Sequence, residues 1–502
     1  MDFNWGLMLS SYGAVFTPSI VLMICVGTTA GIVIGALPGL TATMGVALLV
    51  PLTFGRPALE SISMLMGIYC GAMYGGSISA ILIRTPGTPA GAATVLDGYP
   101  MAKRGEAGRA MSMALFASFV GGVIGALIMT FASPYISSIA LEFGPVEYFG
   151  LAIFGLSVIV SISGRSLIKG AMSAFLGLLI ASIGFDPISG FPRFTMGVME
   201  MMEGPPFIPT LIGLFAVSEV FNEIQKTGQI QKAKANLDRY LPTWADIKAS
   251  YKTLVRSSLI GTGIGAIPGA GGDIAAFVAY GEAKRASKEP EKFGTGEING
   301  LAASESANNA CAGGAMIPLL SLGVPGDAVT AVLLGAFVIQ GLQPGPMLYK
   351  EHMDVVYQIF AAMMLAQFAM QFIGMAGIRL FAKVILVDRA ILTPAIFVLS
   401  MVGAFAMRSN MFDVYTTLAF GMVGYLLARY DYPLSPILLA LILGPMAESN
   451  LRRAMVISGG DPAILVSRPI AVGLVVLAVA SLIMSIRGHR KVAARLAAQD
   501  MR

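Results

Sequence analysis

Apolar residues run in long blocks along this chain, and charges fall between the blocks rather than alternating with them. Windows free of Asp, Glu, Lys and Arg extend from Ala110 to Leu141, Tyr148 to Gly164, Val355 to Ile378, Ile391 to Met407 and Pro469 to Ile486. Such windows are of the length an α-helix needs to cross a hydrocarbon core of about 30 Å. The pattern predicts an all-α polytopic membrane protein with roughly ten to twelve transmembrane helices.

Two stretches depart from simple spanning. Between Arg256 and Lys284 the chain is apolar at both ends, interrupted by Pro268-Gly269 in its middle and flanked by basic residues. Two half-helices of about a dozen residues reach only ~18 Å at 1.5 Å per residue, so this segment is expected to enter the membrane and turn back. A less sharply bounded hairpin is expected near 20–54, turning at Pro38-Gly39. Irregular backbone at that depth is stable only where it is buried in protein or lines a wet cavity, since lipid offers its N–H and C=O groups no partner.

The two hairpins share a signature. Gly31-x-x-x-Gly35-Ala36-Leu37-Pro38-Gly39 recurs as Gly261-x-x-x-Gly265-Ala266-Ile267-Pro268-Gly269, with Gly265 standing 230 residues after Gly35. Further along, Gly75-Gly76 pairs with Gly313-Gly314 at an offset of 238, Pro86-Gly87 with Pro325-Gly326 at 239, and Arg165-Ser166 with Arg408-Ser409 at 243. A slowly drifting offset of this kind implies duplication. The expected order is a first repeat over 1–225, with a broken helix near 85–89, and a cytoplasmic linker over 226–255. A second repeat over 256–486 follows, with a broken helix near 323–327, then a tail over 487–502. The loop from Lys103 to Arg109 is basic where its counterpart from Gln340 to Tyr349 is nearly neutral, which fits repeats of inverted orientation.

Pro-Gly interruptions aimed at one cavity predict a binding site, because the N–H groups at a half-helix start carry partial positive charge and attract carboxylates. The expected substrate contacts are Gly39, Thr41, Thr43, Thr85, Gly87 and Thr88 in the first half and Gly269, Gly271, Gly272 and Gly326 in the second. Set against this is the plain packing role of glycine and threonine in closely apposed helices. Acids inside apolar sequence are costly and usually serve ions or protons. Asp273, Glu305 and Asp327, with Asn308 and Asn309 one turn beyond Glu305, are therefore the expected cation-coupling set for Na⁺ or H⁺. A simple helix-capping role competes with that assignment.

Composition agrees with the membrane reading: the 502 residues are 56% hydrophobic and 12% charged, where soluble domains carry about 25% charged residues. The net charge of +5 sits in loops beside spans, which accounts for it without nucleic acid. From Lys226 to Arg256 basic residues outnumber acids, and the tail after Ile486 is basic, so both are expected in the cytoplasm. Met1-Asp2-Phe3-Asn4 has no basic lead-in, so the first apolar run is expected to be retained rather than cleaved. Cys25, Cys70 and Cys311 lie far apart without a metal-ligand spacing. No Gly-Lys dipeptide occurs, which excludes a Walker A loop, and two histidines without nucleophile spacing give an enzyme little support.

The stretches GALPGLTATMGVALLVPLTF from Gly35, GAIPGAGGDIAAFVAYGEAKRASK from Gly265, and SESANNACAGGAMIPLLSLGVPGD from Ser304 to Asp327 resemble the large membrane subunit of tripartite tricarboxylate transporters. The resemblance covers nearly the whole chain. It implies a multi-pass permease of the bacterial inner membrane that imports citrate or a related carboxylate with Na⁺ or H⁺ and no further cofactor. It also implies a small membrane subunit and a periplasmic substrate-binding protein as partners, with homo-oligomerisation left open. A passive anion channel, a transporter of a different organic solute and an intramembrane enzyme built on the three acids are the competing readings.

Overall fold

Glycine sets how closely the central helices approach. A computed structural model describes residues 4–162, 166–225, 241–385, 387 and 389–500. Its first half comprises α1 (Trp5–Val15), α2 (Pro18–Ala36), α3 (Ala42–Leu49), α4 (Ala58–Ile83), α5 (Ala92–Lys103), α6 (Ala107–Ala140), α7 (Pro145–Ile162) and α8 (Leu167–Ala181). A two-stranded ribbon, β1 (Gly184–Phe185) and β2 (Pro192–Arg193), pairs antiparallel with Gly184 opposite Arg193. Then α9 (Phe207–Leu211) runs through a π-helical stretch, Ile212–Val217, into α10 (Ser218–Ile224).

The second half comprises α11 (Trp244–Gly265), α12 (Gly271–Ala286), α13 (Ile298–Leu322), α14 (Ala328–Ile339), α15 (Pro346–Glu351), α16 (Met353–Val384) and α17 (Arg389–Arg408). It closes with α18 (Met411–Arg429), α19 (Ser435–Ile457), α20 (Ile464–Ser467) and α21 (Pro469–Asp500). The fold is all-α, as the block pattern predicts.

Among the described residues, eight helices have both the length and the apolar composition to cross a membrane, fewer than the ten to twelve expected. The difference lies in which surface each helix shows. Helix α13 carries Glu305, Asn308 and Asn309 and is buried from Gly300 through Ser321 on every side. Protein neighbours rather than lipid surround it, so apolarity is not required of it. Helices α8, α17 and α21 instead turn Ile168, Phe175, Ile391, Val398 and Leu477 outward, an apolar belt suited to acyl chains.

Helix α2 runs parallel to α4, and α11 runs parallel to α13. Gly27, Gly31 and Gly35 of α2 face Met64, Ile68 and Ala72 of α4, while Gly261 and Gly265 of α11 face Ala307 and Cys311 of α13. A methyl group at Gly31 or Gly261 would collide with a backbone carbonyl, so these contacts admit only hydrogen at Cα. Gly75 meets Ile32 and Gly314 meets Thr262. The packing therefore pairs Gly75 with Gly314, one residue later than the offset of 238 read from the two Gly-Gly pairs.

Helix α11 starts earlier than the bounds expected for the second hairpin, and its 22 residues exceed the half-helix of about a dozen expected there. Thr243 and Asp246 form a reciprocal capping box that opens α11 at Trp244, inside the stretch read as linker. Of that linker, residues 226–240 lie outside the described residues, as do 1–3 and 501–502 at the termini and Arg165 of the Arg-Ser pair.

Hydrogen bonds tie one end of the bundle together. Fully buried Asp97 accepts the N–H groups of Gly294 (2.9 Å), Gly296 (2.7 Å) and Glu297 (2.8 Å) and the hydroxyl of Tyr280 (2.9 Å). Arg104 donates to the carbonyls of Thr295 (2.6 Å) and Gly296 (2.9 Å), and Arg109 grips Asp246 with bonds of 2.6 and 3.1 Å. Burial by itself would raise the Asp246 carboxyl, but the Arg109 guanidinium and Thr243 together hold it below its ordinary value. The loop from Lys103 to Arg109, the start of α11 and the loop before α13 thus share one side of the molecule.

Candidate functional site

Four interruptions of helix bring the sequence-predicted residues together in pairs. In the first half the last turn of α2, just ahead of the turn at 37–41, meets the break at 84–88, where Gly87 packs against the carbonyl of Gly35. In the second half the Gly269 N–H donates to the Gly326 carbonyl at 2.7 Å, joining the turn at 266–270 to the break at 323–327. Gly39 and Gly269 have φ of +91° and +84°, a region that side chains with a Cβ strongly disfavour.

The helix starts at these turns are capped by their own side chains. Thr41 Oγ1 accepts the Met44 N–H at 3.2 Å to open α3, and Thr88 Oγ1 accepts the Gly91 N–H at 3.3 Å ahead of α5. Asp327 caps α14: its Oδ1 accepts the Thr330 N–H and hydroxyl, each at 2.7 Å. Thr43 is buried within α3, whereas Thr85 is exposed, its hydroxyl directed at the Ile83 carbonyl at 3.4 Å.

The halves also touch each other here. Tyr69 of α4 donates its hydroxyl to Asp327 Oδ2 at 2.6 Å, and Asn308 of α13 donates Nδ2 to the Met73 carbonyl at 3.2 Å. Gly272, at the start of α12, lies against Met73, Ala90 and Asn308.

The five cation candidates divide by environment. Asp273 is exposed at the first turn of α12, while Glu305, Asn308, Asn309 and Asp327 are buried. Both Glu305 oxygens are engaged, one by the hydroxyl of Thr94 and the other by Ser118 at 3.0 Å, which links α13 to α5 and α6. Asn309 donates Nδ2 to the Glu305 carbonyl at 3.4 Å. Among the described residues no donor reaches Oδ1 of Asn308 or Asn309. Nor do three or more His, Cys, Asp or Glu side chains gather in an arrangement suited to a metal ion there.

Sequence reasoning did not single out Tyr69, Glu219 or Glu223. A Cβ on Gly39 would stand 3.0 Å from Glu223 Oε1 and 3.3 Å from Glu219 Oε1. Both acids line, with Leu37, Pro38, Leu40 and Met44, the recess beside the first turn. Their signal was present as two carboxylates four residues apart at the end of an apolar run, a spacing that places both on one helix face.

The family described as the tripartite tricarboxylate transporter TctA family matches residues 21–439 of the chain. An Agrobacterium vitis protein described as "Uncharacterized 52.8 kDa protein in TAR-I ttuC' 3'region" is 38% identical over 497 residues, 98% of each chain. A second from the same organism, "Uncharacterized protein in TAR-II ttuC' 3'region", is 38% identical over 234 residues, which is 46% of this chain and 97% of its own. No solved structure matches.

Proposed function

Because the chain belongs to the tripartite tricarboxylate transporter TctA family, a family of transporters rather than enzymes, we propose that it is the large permease subunit of a secondary active importer. Its cargo is citrate or a related carboxylate, its coupling ion Na⁺ or H⁺, and its location the bacterial inner membrane. A small membrane subunit and a periplasmic substrate-binding protein complete the system. The observation that carries this reading is the meeting of interrupted helices from both halves in one buried region, where Tyr69 bonds to Asp327 and Asn308 to the Met73 backbone. Discontinuous helices from two inverted repeats, meeting near mid-depth, are how secondary transporters form substrate sites.

In this reading Gly39, Thr41, Thr43, Thr85, Gly87, Thr88, Gly269, Gly271, Gly272 and Gly326 form the turns and hydroxyl caps around the carboxylate, and the ion is served from among Asp273, Glu305, Asn308, Asn309 and Asp327. Energetics require an ion. Moving one negative charge into an inside-negative cell costs about 2.3 kcal/mol per 100 mV, and a trianion about 7 kcal/mol.

The test is uptake of labelled citrate by proteoliposomes holding all three components. Accumulation that saturates, depends on the binding protein and collapses when the Na⁺ and proton gradients are dissipated is the expected result. Ion-gradient-independent flux with single-channel currents would instead establish a passive anion channel.

A further inference from the structure

We infer that the second half alone holds a binding site for one monovalent cation of the Na⁺ type, formed around Gly271-Gly272 by Asn308 Oδ1 and the carboxylate of Asp273, with Asp327 adding negative charge beside it. This deepens the permease reading and rests on it for its purpose, though not for its chemistry.

Three side chains converge on two glycines. A Cβ on Gly272 would stand 2.7 Å from Asn308 Oδ1, and one on Gly271 would stand 2.9 Å from Asp273 Oδ1 and 3.9 Å from the Asp327 Cβ. Asn308 is fully buried, and no donor among the described residues satisfies its Oδ1. Flipping the amide offers no remedy, because Nδ2 is held by the Met73 carbonyl at 3.2 Å and an oxygen placed there would face another oxygen. A buried acceptor with no donor is costly, and a cation is the ligand that relieves it beside two carboxylates. Asp273 itself is exposed at the first turn of α12.

At the corresponding positions the first half lacks these groups. With the hairpin offset of 230 and the helix offset of 239, Asp273 corresponds to Thr43, Asn308 to Tyr69 and Asp327 to Thr88. Each charged or orphaned oxygen is replaced by a neutral hydroxyl. Glu305 lies outside the site, since Thr94 and Ser118 already occupy its oxygens.

The experiment is binding of ²²Na⁺ to the full chain in nanodiscs, without substrate or partners, at constant ionic strength set by choline chloride. Saturable binding of one Na⁺ per chain is expected, displaced by unlabelled NaCl, with Asp273→Asn and Asn308→Ala each weakening it at least tenfold. Should Asn308→Ala fail to fold, as judged by gel filtration, Asp273→Asn carries the test because its side chain is exposed. Two ions per chain, no saturable binding, or wild-type affinity in the folded variants would overturn the site. Na⁺ binding that the variants abolish, in a protein that moves no carboxylate, would sink the permease reading and leave the site standing. Na⁺-driven uptake retained by Asp273→Asn would do the reverse.

Discussion

Gly269 shows how much can rest on one residue. Its φ of +84° favours a residue without Cβ, and its N–H donates to the Gly326 carbonyl at 2.7 Å. Gly269→Ala forces a left-handed residue at a cost of about 1 kcal/mol and should lower uptake, while Gly269→Leu should abolish it. Membrane-fraction yield should stay at the wild-type level in both, which separates a damaged turn from failed insertion. Tyr69 is the complementary case. Its hydroxyl is the donor to Asp327 Oδ2 at 2.6 Å, and Tyr69→Phe leaves a fully buried carboxylate oxygen short of a partner. A loss of about 1–3 kcal/mol is expected, read as a lower melting temperature in detergent. Pro38-Gly39 and Pro268-Gly269 were visible as turns because proline and glycine punctuate helices by local sterics. Tyr69 was not, since one tyrosine in an apolar helix carries no sign of an acid 258 positions away.

Among the elements, α11 is held at its start by a buried carboxylate. Asp246 pairs with Arg109 at 2.6 Å and caps its own helix through Thr243, and its carboxyl lies below its ordinary value. A depressed folded-state value means the contribution is fully present above the unfolded carboxylate range, about pH 4, and is lost as pH falls through the folded value. Thermal stability should therefore fall below about pH 4, and Asp246→Asn should lower stability at neutral pH while removing part of that acid dependence. An Asp246→Asn protein whose melting temperature matches wild type at pH 7 would contradict this. The early start of α11 escaped the apolar pattern because its first turns, WADIKASYK, carry Asp246, Lys248 and Lys252 and bury only the polar Asp246 and Ser250. Its capping residues Thr243 and Asp246 were present in the sequence, but a cap becomes persuasive only beside a periodic apolar face.

For the whole molecule, the hydrogen-bonded cluster of Asp97, Arg104 and Arg109 puts the Lys103 to Arg109 loop and the loop before α13 on one side. Helix α13 spans 25 residues, about 37 Å at 1.5 Å per residue, and the Gly345 N–H bonds to the Leu320 carbonyl at its far end. Lys103→Cys and Lys288→Cys should therefore be shielded from a membrane-impermeant maleimide in intact cells and label in inverted vesicles, if basic loops face the cytoplasm. Gln343→Cys should show the opposite pattern. Labelling of all three from one face would refute the arrangement.

The sequence by itself determined the membrane class, the places where helices break and the family, because these depend on local properties: long uncharged blocks, Pro-Gly sterics and contiguous motifs. Only the tertiary structure decided which polar groups face one another. Glu305 and Asn308 lie one turn apart on the same helix, yet one is satisfied by hydroxyls from α5 and α6 while the other has an oxygen without a donor. Likewise Gly39 is set against the carboxylates of Glu219 and Glu223, and Asp327 against Tyr69. Such pairings are fixed by helix packing between residues about 180 to 260 positions apart, through close contacts that short-range periodicity does not encode.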